Sequence, residues 1–286
     1  MPQATLPAYA RRAINRCNLP AIILGGLTFQ QFPSPLFIDG VRELHGAFFR
    51  SLAQVQDAAV RADCFRDYMR ASFLLDDPGQ AGFDPRRRQR RRDKADYLRL
   101  LRGWMFNADS VEGAVLKYWV ESRFGLMPRR HQGLLGGYAS ASYDAYRMAY
   151  TRGLYNTNAL EAQLDLLYAY CQYELQRTAP DQTHWHLYRG VNQFHHHDIL
   201  ARNDDGSLVL LLNNLNSFSR DQAHAESFGD CIFATDIPFS KVLYFPGLLP
   251  GVLQGEWEYL VIGGAYRVTL APALLAPPVS SLFPRQ

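Results

Sequence analysis

The chain has 286 residues, a hydrophobic composition of 48% and a formal net charge of only +3. This length and composition suffice to bury a large core, and the small charge excludes a general electrostatic attraction to nucleic acid. No apolar stretch reaches membrane-spanning length and residues 1–20 lack the apolar core of a signal peptide, so we expect a cytoplasmic protein without stable membrane insertion. The four cysteines are scattered without metal-type spacing, and we expect reduced thiols.

The first part of the chain predicts helices. Apolar residues at helical spacing follow Asp39, which is expected to cap a helix that continues to Val55. Asp109 and Glu112 have the spacing of a capping box ahead of a second apolar segment. Gly125 is expected to end that helix, because glycine readily adopts the left-handed conformation at a helix C-terminus.

The pattern changes near residue 180, from helices to strands. Asn158 with Glu161 repeats the capping pattern before a last long helix. After Pro180, short β-type runs punctuated by glycine and proline predict strands at 185–188, 208–212, 231–234 and 259–270. Helices first and strands afterwards predict an α+β protein, not a doubly wound α/β sheet.

A predicted strand ends at Tyr188 and is followed by Arg189 and Gly190. A guanidinium at a strand terminus can fork onto a phosphate with two parallel hydrogen bonds, and glycine leaves room for close approach. Taken alone, an ordinary surface arginine at a turn is the better explanation of this first cluster.

A second cluster is Ser217-Phe218-Ser219, at the end of an apolar strand. Its two hydroxyls flank one inward aromatic ring and suit hydrogen bonds to a carboxylate and to a ligand amide. Downstream, Ala225 and Phe228 lie three positions apart, as on one face of a helix packed under the strand. A polar strand end followed by a helix cap is the competing structural explanation.

The third cluster is the pair Glu256 and Glu258. Carboxylates two positions apart on a strand point to the same face, and their mutual repulsion makes a purely structural role less natural. Such a pair at the mouth of a strand suits acid–base or cation-stabilising chemistry. Two solvated glutamates on an edge strand remain the alternative.

In this order, the three clusters resemble the arginine–serine–glutamate signature of the cholera-toxin-like mono-ADP-ribosyltransferases. Arg189 matches the arginine of the signature, and residues 217–219 match its Ser-Thr-Ser element with phenylalanine in place of threonine. Glu256 and Glu258 match the Glu-x-Glu pair that accompanies arginine as the acceptor in that family. The resemblance is therefore carried by all three clusters together.

Four further segments are similar to the NAD–dinitrogen-reductase ADP-ribosyltransferases, at 16–20, 37–44, 236–241 and 261–264. The resemblance implies the ADP-ribosyltransferase fold, in which two small β-sheets form an NAD cleft, preceded by a mostly helical N-terminal part. It implies one domain over 1–286, with a helical part at 1–180 and a strand-rich catalytic part at 181–286.

The same resemblance implies partners and chemistry. The substrate would be NAD, with no metal, and the acceptor would be an arginine of the nitrogenase iron protein. Control by a PII-type nitrogen-signalling protein is implied as well. An NAD glycohydrolase, with water as the acceptor, and a non-catalytic binding protein on the same scaffold remain the alternatives.

The side chains also suggest a division of labour. Arg189 would hold the pyrophosphate of NAD, and Glu258 would stabilise the oxocarbenium-like cation as nicotinamide leaves. Ser217 would position Glu258, while Glu256 would orient the incoming guanidinium and remove its proton. The predicted NAD site is completed by Tyr188, Gly190, Phe218, Ser219 and Phe228.

Three other features have simpler explanations. The adjacent histidines 195–197 predict a solvated loop, since adjacent side chains diverge whereas zinc ligands must converge. The arginine run 86–92 predicts a solvated loop, with a docking patch for an acidic partner as the alternative. Aromatic residues at helical spacings predict core positions at Tyr97, Trp104, Phe106 and Trp119.

Overall fold

A computed structural model of the chain describes residues 4–76, 96–155, 157–192, 194, 197–253 and 257–271. The arginine run 86–92, two of the three adjacent histidines and Glu256 lie outside the described residues. In the ranges that are described, every helix is too short or too polar to cross a bilayer. All four cysteines are free thiols.

Helices make up the first part of the chain. The helices are α1 (Ala21–Leu24), α2 (Leu27–Gln31), α3 (Val41–Leu44), α4 (Gly46–Leu52), α5 (Ala58–Ser72), α6 (Tyr97–Phe106), α7 (Val111–Phe124), α8 (Ala141–Leu154), α9 (Leu160–Thr178) and, within the strand-rich part, α10 (Gln222–Glu226). Side chains cap α5 to α8, where an aspartate or serine oxygen accepts a hydrogen bond from the backbone N–H three residues on.

All three predicted helix caps are wrong. Asp39 does not cap a long helix, because Gly40 at φ +79° precedes α3 and the segment breaks at His45 into two short helices. Ser110 caps α7 instead of Asp109, whose carboxylate accepts a hydrogen bond from Lys117 Nζ at 2.9 Å. The predicted end of α7 is confirmed, with Gly125 in the left-handed region at φ +69°.

The predicted cap of α9 is also wrong, although the helix itself is present. Ala159 occupies the cap position in the left-handed region at φ +46°, and it makes no side-chain hydrogen bond. The Asn158 amide donates instead to the carbonyl of Phe73, which ties the start of α9 to the end of α5.

The second part of the chain forms an antiparallel sheet, which confirms the α+β prediction. The strands are β1 (His184–Val191), β2 (Asp198–Arg202), β3 (Leu208–Phe218), β4 (Cys231–Pro238), β5 (Val242–Tyr244) and β6 (Tyr259–Leu270). The strand order is β1-β4-β6-β3-β2, and β5 pairs with β6 off this path.

The expected division into two small sheets needs correction, because β6 belongs to both halves. It pairs with β3 from Tyr259 to Val268, and its last two residues, Thr269 and Leu270, pair with β4. The strands therefore form one six-stranded sheet. An isolated antiparallel bridge between Tyr188 and Ser219 also joins the middle of β1 to the residue after β3, so Arg189, predicted at a strand terminus, lies within β1.

Buried polar side chains attach the helical part to the sheet. Gln172 of α9 donates to the carbonyls of Phe239 and Val242 at 3.0 and 2.8 Å, next to β5. Asn214 of β3 donates to the carbonyl of Lys117 in α7 at 2.7 Å. Because these groups are buried, their satisfied hydrogen bonds fix how the helices sit on the strands. The apolar core is continuous across both parts.

Candidate active site

The bridge between β1 and β3 places Arg189 at the point where the strands meet. Tyr188 N donates to Ser219 O at 2.8 Å, and Ser219 N donates back to Tyr188 O at 2.9 Å. The neighbouring Arg189 reaches across and donates through Nη1 to the carbonyl of Ser217 at 2.5 Å. The backbone bridge and this hydrogen bond together hold the guanidinium in one position in the site.

The Nε–H of the Arg189 guanidinium is available to a ligand. Its Nε is buried and has no hydrogen-bond partner in the part of the chain that the structure describes. Burial lowers the pKa of Arg189 to about 10, and the nearby carboxylate of Glu258 opposes that shift, so the group stays charged at neutral pH. A buried cation with an unused N–H suits an anionic ligand.

Ser217 connects the three functional elements of the site. Its backbone carbonyl accepts the bond from Arg189, and its hydroxyl accepts a hydrogen bond from Trp104 Nε1 at 2.9 Å. The same hydroxyl lines one cavity with the Glu258 carboxylate and lowers the pKa of that carboxylate. The positioning of Glu258 by Ser217 stays a prediction, to which the structure adds an indole from α6 on Ser217.

Glu258 lies immediately before β6, not within a strand as predicted. The pairing of Phe218 with Tyr259 brings it beside the end of β3. Burial raises the pKa of Glu258, while the Ser217 hydroxyl, the charge of Arg189 and His224 of α10 act in the opposite direction. An ionised carboxylate held in such a partly desolvated place is well suited to stabilise a cation that forms beside it.

These side chains line a cavity of about 520 Å³. Residues 104–108 of the helical part form one wall, and residues of β1, β3 and α10 form the others. The volume falls in the range of roughly 300–1,000 Å³ that small-molecule sites occupy. All predicted site residues that the structure describes line it: Tyr188, Arg189, Gly190, Ser217, Phe218, Ser219, Phe228 and Glu258.

A second cavity of about 260 Å³ adjoins the first. Trp104, Arg130, Arg189 and Ser217 line both cavities, so they stand at the junction. Basic side chains outnumber acidic ones around it, and its charge is therefore positive. They are Lys117, Arg129, Arg130 and Arg189, against Asp109 and Asp198.

The glycine after Arg189 lies against α10, and its predicted role in the close approach of a phosphate stays a prediction. A Cβ at Gly190 would lie 2.0 Å from the carbonyl oxygen of Ala225, so the missing side chain makes room for α10. Ala225 is buried under the strand, as its spacing predicts. Phe228 lies beyond the end of α10, with 52% of its surface exposed.

Sequence reasoning missed several residues of the cavity wall. Trp104 is 3% exposed and was predicted as core, yet it lines both cavities. Phe106 was also predicted as core, but it ends α6 and is 94% exposed. His197 and His224 line the larger cavity too. Within the described residues, no group of three or more metal-binding side chains converges.

Comparisons with known proteins cover both the helical and the strand-rich part. The family described as dinitrogenase reductase ADP-ribosyltransferase matches residues 14–270. A relative from Rhodospirillum rubrum, named NAD(+)–dinitrogen-reductase ADP-D-ribosyltransferase, is 42% identical over 262 residues. The alignment spans 89% of this chain and 93% of the relative. No solved structure matches the chain.

Proposed function

We propose that this chain, which belongs to the dinitrogenase reductase ADP-ribosyltransferase family, transfers ADP-ribose from NAD to the nitrogenase iron protein and so inactivates it. The similar protein of Rhodospirillum rubrum is named for that reaction on dinitrogen reductase. The observation that carries the proposal is the cavity in which Arg189, Ser217 and Glu258 converge. We further propose that the enzyme works in the cytoplasm.

The proposal includes the ADP-ribosyltransferase fold over one domain, residues 1–286. The helical part, 1–180, and the strand-rich part, 181–286, both contribute walls to the larger cavity. The apolar core that runs through both supports one cooperative unit rather than two.

The charges of the two cavities suggest how NAD lies in them. Glu258 lines only the larger cavity, whereas Arg189 and Arg130 stand at the junction. We place the nicotinamide riboside in the larger cavity, the pyrophosphate against Arg189, and the adenosine half toward the positively charged second cavity. The unused Nε–H of Arg189 is a donor suited to a phosphate oxygen.

The chemical step follows from the position of Glu258. As the bond between nicotinamide and ribose breaks, positive charge develops on the sugar. A carboxylate fixed beside it stabilises this charge most in the transition state, which is where stabilisation increases the rate. We propose that the Ser217 hydroxyl, which lowers the pKa of Glu258, keeps the carboxylate in place.

The mouth of the cavity favours a protein acceptor over water. Phe106 and Phe228 line the cavity, and 94% and 52% of their respective surfaces are exposed. Trp257, the residue before Glu258, is 66% exposed. Exposed aromatic groups around a cleft are typical of surfaces that bind other proteins. We propose an arginine of the iron protein as the acceptor, Glu256 as the group that orients it, and a PII-type protein as regulator.

A transfer assay tests the proposed function. Incubation of the chain with labelled NAD and purified iron protein is expected to label the iron protein, and mass mapping is expected to place ADP-ribose on an arginine. Iron protein in which that arginine is replaced by lysine is the control acceptor. Nicotinamide release without labelling of the iron protein would contradict transfer and favour the glycohydrolase.

Replacing Arg189 with lysine is expected to raise the Kd for NAD by roughly tenfold, because an ammonium cannot fork onto two phosphate oxygens. The positive charge is retained, so the loss reports geometry. Titration calorimetry with NAD measures the change. Arg267→Lys is the matched control, since Arg267 bonds to Ser207 Oγ at 2.8 Å away from both cavities and should leave NAD binding as it is. Unchanged affinity in the Arg189 variant would remove it from the pyrophosphate site.

A further inference from the structure

An indole from the helical part reaches Ser217 in the strand-rich part. Trp104 of α6 donates through Nε1 to Ser217 Oγ at 2.9 Å, across 113 positions of sequence. Ser217 in turn lines the larger cavity together with Glu258, and its hydroxyl lowers the pKa of that carboxylate. Trp104 is 3% exposed and lines both cavities, so it belongs to the core and to the site at once.

The hydrogens that Trp104, Ser217 and Glu258 carry determine which of them can donate and which can accept. An indole N–H can only donate, so it occupies an acceptor position of Ser217 Oγ. An ionised carboxylate can only accept. The single hydroxyl hydrogen of Ser217 is therefore available to Glu258, which lines the same cavity. Because the Ser217 carbonyl accepts from Arg189 at 2.5 Å, backbone and side chain are fixed together.

We propose that Trp104 is a positioning residue, which fixes the Ser217 hydroxyl so that its hydrogen points to the Glu258 carboxylate. The inference rests on the proposed function, since it concerns the same carboxylate. It gives the helical part a role in the chemical step: α6 holds the far end of the hydrogen-bond chain that ends at Glu258.

The surroundings of Trp104 hold it in one place. Asp96 caps α6 by accepting from Arg99 N at 2.7 Å. The preceding residue, Gly103, lies so close to α7 that an added Cβ would be 2.5 Å from the side chain of Glu112. The indole itself lies beside the buried ammonium of Lys117, with 5.7 Å between Nζ and the ring centroid. Fixed packing of this kind is what a positioning group needs.

Replacing Trp104 with phenylalanine removes the N–H and keeps an aromatic ring in the wall. Without its donor, the Ser217 hydroxyl can rotate away from Glu258, and kcat for nicotinamide release is expected to fall about 5- to 30-fold. KM for NAD is expected to stay within about twofold, because the apolar contact remains.

The pH dependence is expected to change in a defined direction. Glu258 must be ionised to stabilise a cation, so activity is lost as the pH falls through its pKa. Among the described residues, the Ser217 hydroxyl of β3, Arg189 of β1 and His224 of α10 lower the pKa of Glu258. Weakening the effect of the Ser217 hydroxyl raises the pKa of Glu258. The acid limb of the kcat profile is therefore expected to move to higher pH in Trp104→Phe.

Trp119→Phe is the matched control. Trp119 is equally buried and donates through Nε1 to Asp165 at 2.7 Å, but it lines neither cavity. Asp165 keeps two bonds from Arg123, so the control loses the same kind of hydrogen bond without disturbing the site. Its kcat and acid limb, corrected for the folded fraction, should match those of the unmodified chain.

A double-mutant cycle with Ser217→Ala completes the test. If Trp104 acts through Ser217, Trp104→Phe should have little further effect on kcat in the Ser217→Ala background. Equal effects in both backgrounds, or a Trp104 variant that behaves like the Trp119 control, would overturn the positioning role while leaving the proposed function intact. Absence of nicotinamide release by the unmodified chain would overturn the proposed function itself, and this inference with it.

Discussion

Replacing Glu258 with glutamine is expected to lower the rate of ADP-ribose transfer roughly 10²–10³-fold, with NAD still bound. Glutamine has the size and shape of glutamate but no negative charge. The sugar cation that forms as nicotinamide leaves would then lack its one adjacent carboxylate among the described cavity residues. Since Arg189 is unchanged, NAD binding should be kept, and single-turnover kinetics separate the two effects.

The same variant should unfold at the same or a higher temperature. Burial raises the pKa of Glu258 above its value in the unfolded chain. Such a group contributes stability below its unfolded pKa, and that contribution is lost as the pH rises through its folded pKa. At neutral pH the ionised carboxylate therefore costs folding free energy, and the neutral amide removes the cost. Lost activity with retained stability is typical of residues kept for function.

Glu226→Gln serves as the control for charge. Glu226 is in α10 but does not line the cavity, so its variant should transfer ADP-ribose at the unmodified rate. Near-normal turnover in Glu258→Gln would remove the cation-stabilising role. A Glu258 variant that melts well below the unmodified chain would show instead that the carboxylate is structural.

Strand prediction succeeded where the apolar pattern was continuous and stopped where asparagines began. The strand predicted at 259–270 is β6, Tyr259–Leu270. The run predicted at 208–212 is the first part of β3, which continues to Phe218, in the serine cluster that was expected at the end of a strand. Its asparagines resemble turn residues in the sequence, but their amides bond to the helical part: Asn213 accepts from Arg129 N at 2.8 Å, and Asn214 donates to Lys117 O. Such long-range partners leave no local signal.

Helix starts failed for the same reason. Asp109 and Asn158 are good caps in isolation. In the folded chain their side chains bond to Lys117 and to the carbonyl of Phe73, and Ser110 and Ala159 take the cap positions. Local propensity was outweighed by partners that only the tertiary structure supplies.

More of the candidate site than of the fold could be predicted from the sequence, because its residues lie in three short clusters. Arg189, Ser217 and Glu258 were expected together and line one cavity. Trp104 could not be found in this way, since an indole at helical spacing looks the same whether it fills the core or donates to a serine of the site. The structure shows that Trp104 does both. The indole is buried in the core, and its Nε1 donates to Ser217 Oγ at 2.9 Å.

Replacing Glu256 with glutamine is expected to abolish modification of the acceptor arginine while slow release of nicotinamide continues. Glu256 lies outside the described residues, and the prediction rests on its place two positions before Glu258. A guanidinium is protonated at neutral pH and cannot attack until it is aligned and has lost a proton. A carboxylate within hydrogen-bond reach can do both. Water needs less help against a cation-like carbon.

Measuring both products in one reaction decides between the roles of the two glutamates. Labelled iron protein reports transfer, and free nicotinamide reports cleavage of NAD. In Glu256→Gln the first should vanish and the second persist, whereas in Glu258→Gln both should fall together, because cleavage precedes either fate of the sugar cation. If both activities fall by the same factor in Glu256→Gln, Glu256 acts on NAD itself. The separation of transfer from cleavage is then wrong, and the acceptor must be activated by another group.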